Sequence, residues 1–231
     1  MATLQANKKL LRKSVSAVLR TLTASEIQQQ SEQVLRRLLD APFFQSSRSV
    51  SCYLSMPTGE LDTSSLVTEI IRAGKTLFVP KIDKTVDGRM DFLKVHGEAD
   101  LAAFPAGLWG IREPDYVWQG TQRQNALDTS SGGLDLILLP AVAFDHSFSR
   151  LGHGKGYYDR FITRYAAAHG GRRPLLVGLA LREQILDAGK IPMGEHDWKV
   201  DAIVGPDGIL GAPGEPAHVP TLGTSPGHTA A

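Results

Sequence analysis

The feature that most constrains this chain is the run from Leu134 to Phe144, apolar almost throughout and interrupted only by Asp135 and Pro140. A strand that alternates apolar and polar residues buries one face. A strand without that alternation is buried on both, as in a parallel sheet covered by helices. The run leads into Asp145 and then Arg150-Leu-Gly-His-Gly-Lys-Gly-Tyr-Tyr-Asp159. Residues 156–168 follow with helical spacing, Tyr158, Phe161, Ile162 and Tyr165 falling on one core-facing stripe. The same alternation recurs along the chain: a strand over 49–54, a helix over 63–73 ended by Gly74, a strand over 76–79 before Pro80, and strands over 174–180 and 202–204. Residues 90–95 read as a further strand, at an edge. The alternation predicts an α/β protein, a three-layer helix–sheet–helix sandwich with a mostly parallel, Rossmann-like central sheet.

The connector 150–159 is chemically the most specific stretch. Gly152, Gly154 and Gly156 allow backbone angles and close approaches that side chains forbid. At a helix start such a loop offers free N–H donors and the positive end of the helix dipole, which suits phosphate. Lys155 adds a full charge, and Asp159 is placed for a metal travelling with a nucleotide. The spacing matches neither the Walker A motif nor G-x-G-x-x-G. A glycine-rich turn carrying a solvated lysine is the plain alternative.

Elsewhere the pattern is more ordinary. Residues 5–22 predict an amphipathic helix with Leu11, Val15, Val18 and Leu22 as its apolar stripe and Lys8 and Arg12 on a bordering face. Thr23-Ala-Ser-Glu26 reads as a capping box opening a helix to about Leu39. Residues 119–131 read as an exposed loop, and the Pro-, Gly- and Thr-rich segment from Gly205 to Ala231 as a flexible tail after a single domain of residues 1–204. Asp197 precedes the strand at 202, and two carboxylates beside a phosphate loop are enough for Mg²⁺, which completes its shell with phosphate and water oxygens. His196 has no second histidine at ligand spacing and reads as structural.

Lys plus Arg is 25 against 24 for Asp plus Glu, a net charge of +1, which gives no support to a nucleic acid or a membrane surface as main partner. The lone Cys52 excludes an internal disulfide and a cysteine-based zinc site.

Four stretches in order carry a resemblance: Lys8-Lys9-Leu10-Leu11-Arg12, Leu139 to Asp145, the loop 150–159, and Glu195-His196-Asp197 with Lys199-Val200-Asp201. Together they resemble the 5-formyltetrahydrofolate cyclo-ligase (methenyltetrahydrofolate synthetase) family. The resemblance implies an ATP- and Mg²⁺-dependent ligase, with ATP held by Lys8, Lys9, Arg12, Arg150, Gly152, His153, Gly154, Lys155, Gly156 and Tyr157. Arg150 and Lys155 would be catalytic, and Asp159 and Asp197 would hold Mg²⁺. It also implies a folate site of Leu54, Glu60, Met90, Trp109, Tyr157 and Tyr158, for 5-formyltetrahydrofolate with or without a polyglutamate tail. His153 stands where the family more often has Arg or Gly. Neutral, it would weaken the hold on phosphate; protonated, it would replace the arginine. A monomer is expected. No acidic residue precedes Glu26, which raises a mitochondrial leader; the ATP residues implied within that segment favour the cytoplasm. Two rivals stay open: another phosphate-using enzyme on a similar α/β scaffold, and a non-catalytic nucleotide- or RNA-binding module.

Overall fold

Side chains along the central strands divide between two cores, as a period of two requires. Leu136 and Leu138 join one buried cluster with Val15, Val34 and Leu66, while Ile137 and Leu139 join the other with Phe161 and Ile162. The computed structural model describes residues 2–56, 59–105, 107 and 110–211. Six helices are described: α1 (Ala2–Leu19), α2 (Ala24–Asp40), α3 (Pro42–Ser46), α4 (Ser64–Arg72), α5 (Glu98–Ala102) and α6 (Tyr157–Ala168). The strands are β1 (Ser49–Cys52), β2 (Thr76–Ile82), β3 (Met90–Lys94), β4 (Val117–Trp118), β5 (Thr121–Gln122), β6 (Leu136–Leu139), β7 (Ala143–Asp145), β8 (Arg150–Leu151), β9 (Leu175–Leu179), β10 (Ile185–Leu186), β11 (Ala202–Val204) and β12 (Ile209–Leu210).

A seven-stranded sheet runs in the order β12-β11-β9-β6-β1-β2-β3. Its five inner strands are parallel, and β3 and β12 close the two edges antiparallel. α1, α2 and α4 bury their apolar stripes on one face and α6 on the other. This is the expected three-layer α/β sandwich. The capping box is present: Thr23 Oγ1 accepts from the Glu26 N–H, and the Thr23 N–H donates to Glu26 Oε2 at 2.8 Å.

Five local expectations need correction. In α1 the buried stripe passes through Val15 and Leu19, and Val18 is exposed, because a step of three residues from Val15 swings farther off the face than a step of four. β2 continues through Pro80, where β1 no longer pairs with it and β3 is the only strand neighbour among the described residues, so the missing N–H breaks no ladder there. The apolar run is two strands. Pro140 ends β6, and β7 turns away to join β8 and β10 in a small second sheet. Both pieces are fully buried, so their composition reads as continuous.

The segment 119–131 is only partly exposed. It opens with a β4–β5 hairpin whose turn residues, Gln119 and Gly120, both have positive φ, the backbone of a hairpin turn that matches strand twist. Beyond it Arg123 is buried against Asp100 in a two-pronged ion pair of 2.5 and 2.6 Å, and Ala126 bonds the β3 edge through Phe92. The sheet also outlasts residue 204, since β12 pairs back onto β11. The rest of the expected tail, from residue 212, lies outside the described residues.

Candidate active site

β1 and β6 lie side by side at the centre of the sheet, and the chain builds outward from them in opposite directions, to β2 on one side and β9 on the other. That reversal opens a crevice at their carboxyl ends, where open α/β sheets receive ligands. A cavity of about 690 Å³ lies there, with Tyr53 and Leu54 from the end of β1 and Pro140 from the end of β6 in its wall. A second, larger hollow of about 920 Å³ lies between α1, α2 and the segment after β1, meeting the first at Met56, Glu60 and His153. The smaller cavity gathers the titratable and glycine-rich chemistry and is the candidate site.

The glycine loop enters along one side. Asp145 fixes its root: Oδ1 accepts from the Ser147 and Ser149 N–H groups, and Oδ2 accepts from the Ile191 N–H at 3.0 Å. The chain then runs through β8 into Gly152–Gly156. Gly154 and Gly156 have φ of +101° and +65°, and Gly156 is the residue that opens α6. A side chain at either would be strained by the backbone, and at Gly154 it would also lie in contact with the Arg12 guanidinium. Arg12 Nε donates to the Gly152 carbonyl at 2.7 Å, so the first helix braces the loop. Arg160, one turn into α6, braces it again, donating to the Gly88 carbonyl at 3.0 Å and to the Lys155 carbonyl, with its guanidinium over the Tyr157 ring.

Charge in the cavity is slightly positive. Lys8, Arg12, Arg150, Lys155 and Arg160 line the cavity, five cations against the four carboxylates Asp159, Asp197, Glu60 and Glu113. Arg150 is buried, donates to Asp159 Oδ2 at 2.8 Å and lies over the Tyr158 ring, while its Nε has no partner among the described residues. Lys8, only 6% exposed, pairs with Asp197. Lys9 is exposed and does not line the cavity. Partial desolvation, then the Arg12 and Arg150 cations, hold the His153 pKa below its usual value. That direction favours the neutral imidazole over an arginine-like cation at neutral pH.

Asp159 Oδ1 accepts from the Trp198 N–H at 3.0 Å, which docks the segment carrying Asp197 onto α6. Asp197 Oδ2 accepts from Lys8 and from the Gly194 N–H, and its Oδ1 accepts nothing among the described residues. Among those residues no group of three or more His, Cys, Asp or Glu could enclose a metal. Two carboxylates with spare oxygen lone pairs fit Mg²⁺ only if phosphate and water supply its remaining ligands.

The opposite side is flatter and less polar. Leu54 and Met90 line it, and Tyr157 and Tyr158 join it to the loop, Met90 and Tyr158 also packing into the α6 core. Glu60 is buried and accepts from the Met56 N–H at 3.0 Å; desolvation raises its pKa to about 7, that bond offsetting part of the effect. Such a carboxyl is ready to take N–H donors from a ligand and gains most from them when charged. Trp109 lies outside the described residues. Tyr53 and Arg160 are cavity residues that the sequence patterns missed. Tyr53 stands one position before Leu54 at a strand end, and Arg160 one turn after Gly156, so position relative to the loop and sheet was the available signal.

Comparison with known proteins follows the same lines. The profile of the 5-formyltetrahydrofolate cyclo-ligase family matches residues 4–206. The chain is 35% identical over 202 residues to the 5-formyltetrahydrofolate cyclo-ligase of Mus musculus, covering 87% of this chain and 95% of that protein. It is 34% identical over 222 residues to the enzyme of that name from Saccharomyces cerevisiae, covering 89% and 98%. Among solved structures, the 5,10-methenyltetrahydrofolate synthetase of Aquifex aeolicus superposes with a TM-score of 0.69 at 32% identity, covering 87% of this chain and 91% of that one.

Proposed function

This chain belongs to the 5-formyltetrahydrofolate cyclo-ligase family, and we propose that it uses ATP to close 5-formyltetrahydrofolate into 5,10-methenyltetrahydrofolate, releasing ADP and phosphate. One observation carries the reading: a single cavity is lined both by a cationic glycine loop and by a buried carboxyl with flat, soft side chains. A triphosphate and a pteridine bound in it meet at Tyr157 and Tyr158.

The chemistry explains why both must meet. A formamide oxygen is a poor leaving group. Transfer of the γ-phosphoryl group to that oxygen breaks the bond to ADP and gives a cationic N5-iminium phosphate. The N10 amine then attacks the formyl carbon, its proton is lost, and phosphate leaves with the former formyl oxygen. Positioning and charge neutralisation supply most of such a rate enhancement. Lys155 and Arg150 meet the charge developing on the transferred group, with Arg150 oriented by Asp159. Lys8, Arg12 and the N–H groups of Gly152, His153, Gly154 and Gly156 hold the polyphosphate. Asp159 and Asp197 would hold Mg²⁺, which neutralises phosphate charge when bound. Leu54, Met90, Tyr157 and Tyr158 pack on the pteridine, and Glu60 accepts from its amino-pyrimidine edge.

The test is spectral. With 5-formyltetrahydrofolate and Mg²⁺ present, the near-ultraviolet absorbance of the methenyl product should rise only after ATP is added, with one ADP per product. Lys155→Ala removes an exposed side chain and should cost about a hundredfold or more in turnover while leaving Tm in place. ATP-independent product, or equal loss of folding and activity in the variant, contradicts the reading.

A further inference from the structure

Tyr53 is 4% exposed at the end of β1, its ring packed in the core beneath α1 and α2. Its hydroxyl is buried and has no hydrogen-bond partner among the described residues, yet the residue lines the cavity together with Glu60. A phenylalanine would fill the same core space without that unpaired group. Buried polar atoms are almost always paired, and one left unpaired in a residue that lines a binding cavity calls for a partner that the ligand brings as it seats. Burial, and then the proximity of Glu60, Cys52 and Tyr158, raise the Tyr53 pKa well above the usual phenol value. The group is therefore a neutral O–H, able to donate, at any working pH.

We propose that the Tyr53 hydroxyl donates a hydrogen bond to the 4-oxo group of the bound pteridine, next to the N–H edge taken by Glu60. The inference rests on the folate reading above and extends it to a residue that selects the substrate. In a 2-amino-4-oxopyrimidine the 2-amino group and N3–H are adjacent donors, and the 4-oxo group is the acceptor beside them. A carboxylate takes the two donors in a fork, leaving the carbonyl to a neighbouring donor. Arg150 and Lys8, two other buried donors of the cavity, belong with the cationic loop, where they pair with Asp159 and Asp197 and only Arg150 Nε stays without a partner among the described residues. A ligand with an amino group in place of the oxo group brings a donor where Tyr53 donates.

The experiment is equilibrium binding of 5-formyltetrahydrofolate and of its 2,4-diamino counterpart to the wild-type protein and to Tyr53→Phe, with the Tm of each free protein. Tyr53→Phe should weaken the oxo ligand about three- to tenfold, the range of one neutral hydrogen bond. It should change the diamino ligand less than about twofold, and Tm should not fall, since the variant removes an unpaired polar atom. Equal weakening of both ligands, or no weakening of either, overturns the inference. Failure of the wild-type protein to bind 5-formyltetrahydrofolate overturns the folate reading itself, so the two failures are told apart by which protein shows them.

Discussion

At the scale of single residues, Glu60 makes the sharpest prediction. Its folded pKa of about 7 lies above the ordinary value of 4.5, because desolvation disfavours the charged form. The folded state therefore binds the proton more tightly than the unfolded chain does. The stability this gives is fully present below the unfolded pKa and is lost as pH rises through about 7, a difference on the order of 3 kcal/mol. Folate binding should run the other way and tighten as Glu60 ionises. Glu60→Gln should thus flatten both profiles, raising Tm relative to wild type above pH 7 and weakening folate at pH 8 more than at pH 6. Parallel thermal scans and folate titrations across that range check the signs. A variant whose profiles match those of the wild type would remove Glu60 from the account. From sequence alone Glu60 is one loop carboxylate among many, and only the family resemblance singled it out. Its burial depends on packing after β1, which no local pattern encodes. Lys9 shows the converse, since it belongs to the same basic motif as Lys8 yet helical geometry turns it to solvent.

At the scale of elements, legibility followed how local the cause was. The capping box of α2 and the positive-φ Gly74 ending α4 are set within a few residues and stood in the sequence. The split between β6 and β7 was hidden because both pieces are buried by distant partners. The segment after β5 was misread for the same reason. Arg123 looks like a surface residue until Asp100, the Lys94 and Asp115 carbonyls and the rings of Phe104 and Trp118 enclose it. Removing one partner of a buried ion pair leaves the other charge uncompensated. Arg123→Ala should therefore cost about 3–5 kcal/mol in denaturant unfolding, far more than loss of a surface arginine. A cost below about 1 kcal/mol would mean that this segment packs less tightly than its contacts require.

At the scale of the whole molecule, the alternation of strands and helices made the layered sheet legible, and the sheet in turn locates the site. The β1–β6 switch point brings Tyr53 and Leu54 to one wall of the cavity, and the connection beyond β6 brings the glycine loop to another. α1 and the 194–198 segment, far apart in sequence, close the loop side through Lys8 and Asp197. If nucleotide and folate share this one cavity, phosphate leaves with the formyl oxygen. The most direct measurement is a single turnover of 5-formyltetrahydrofolate labelled with ¹⁸O in the formyl group, followed by mass analysis of the released phosphate. Each phosphate formed should carry one ¹⁸O atom. Unlabelled phosphate, with the isotope recovered in water, would show that the formyl oxygen is never phosphorylated and would contradict it.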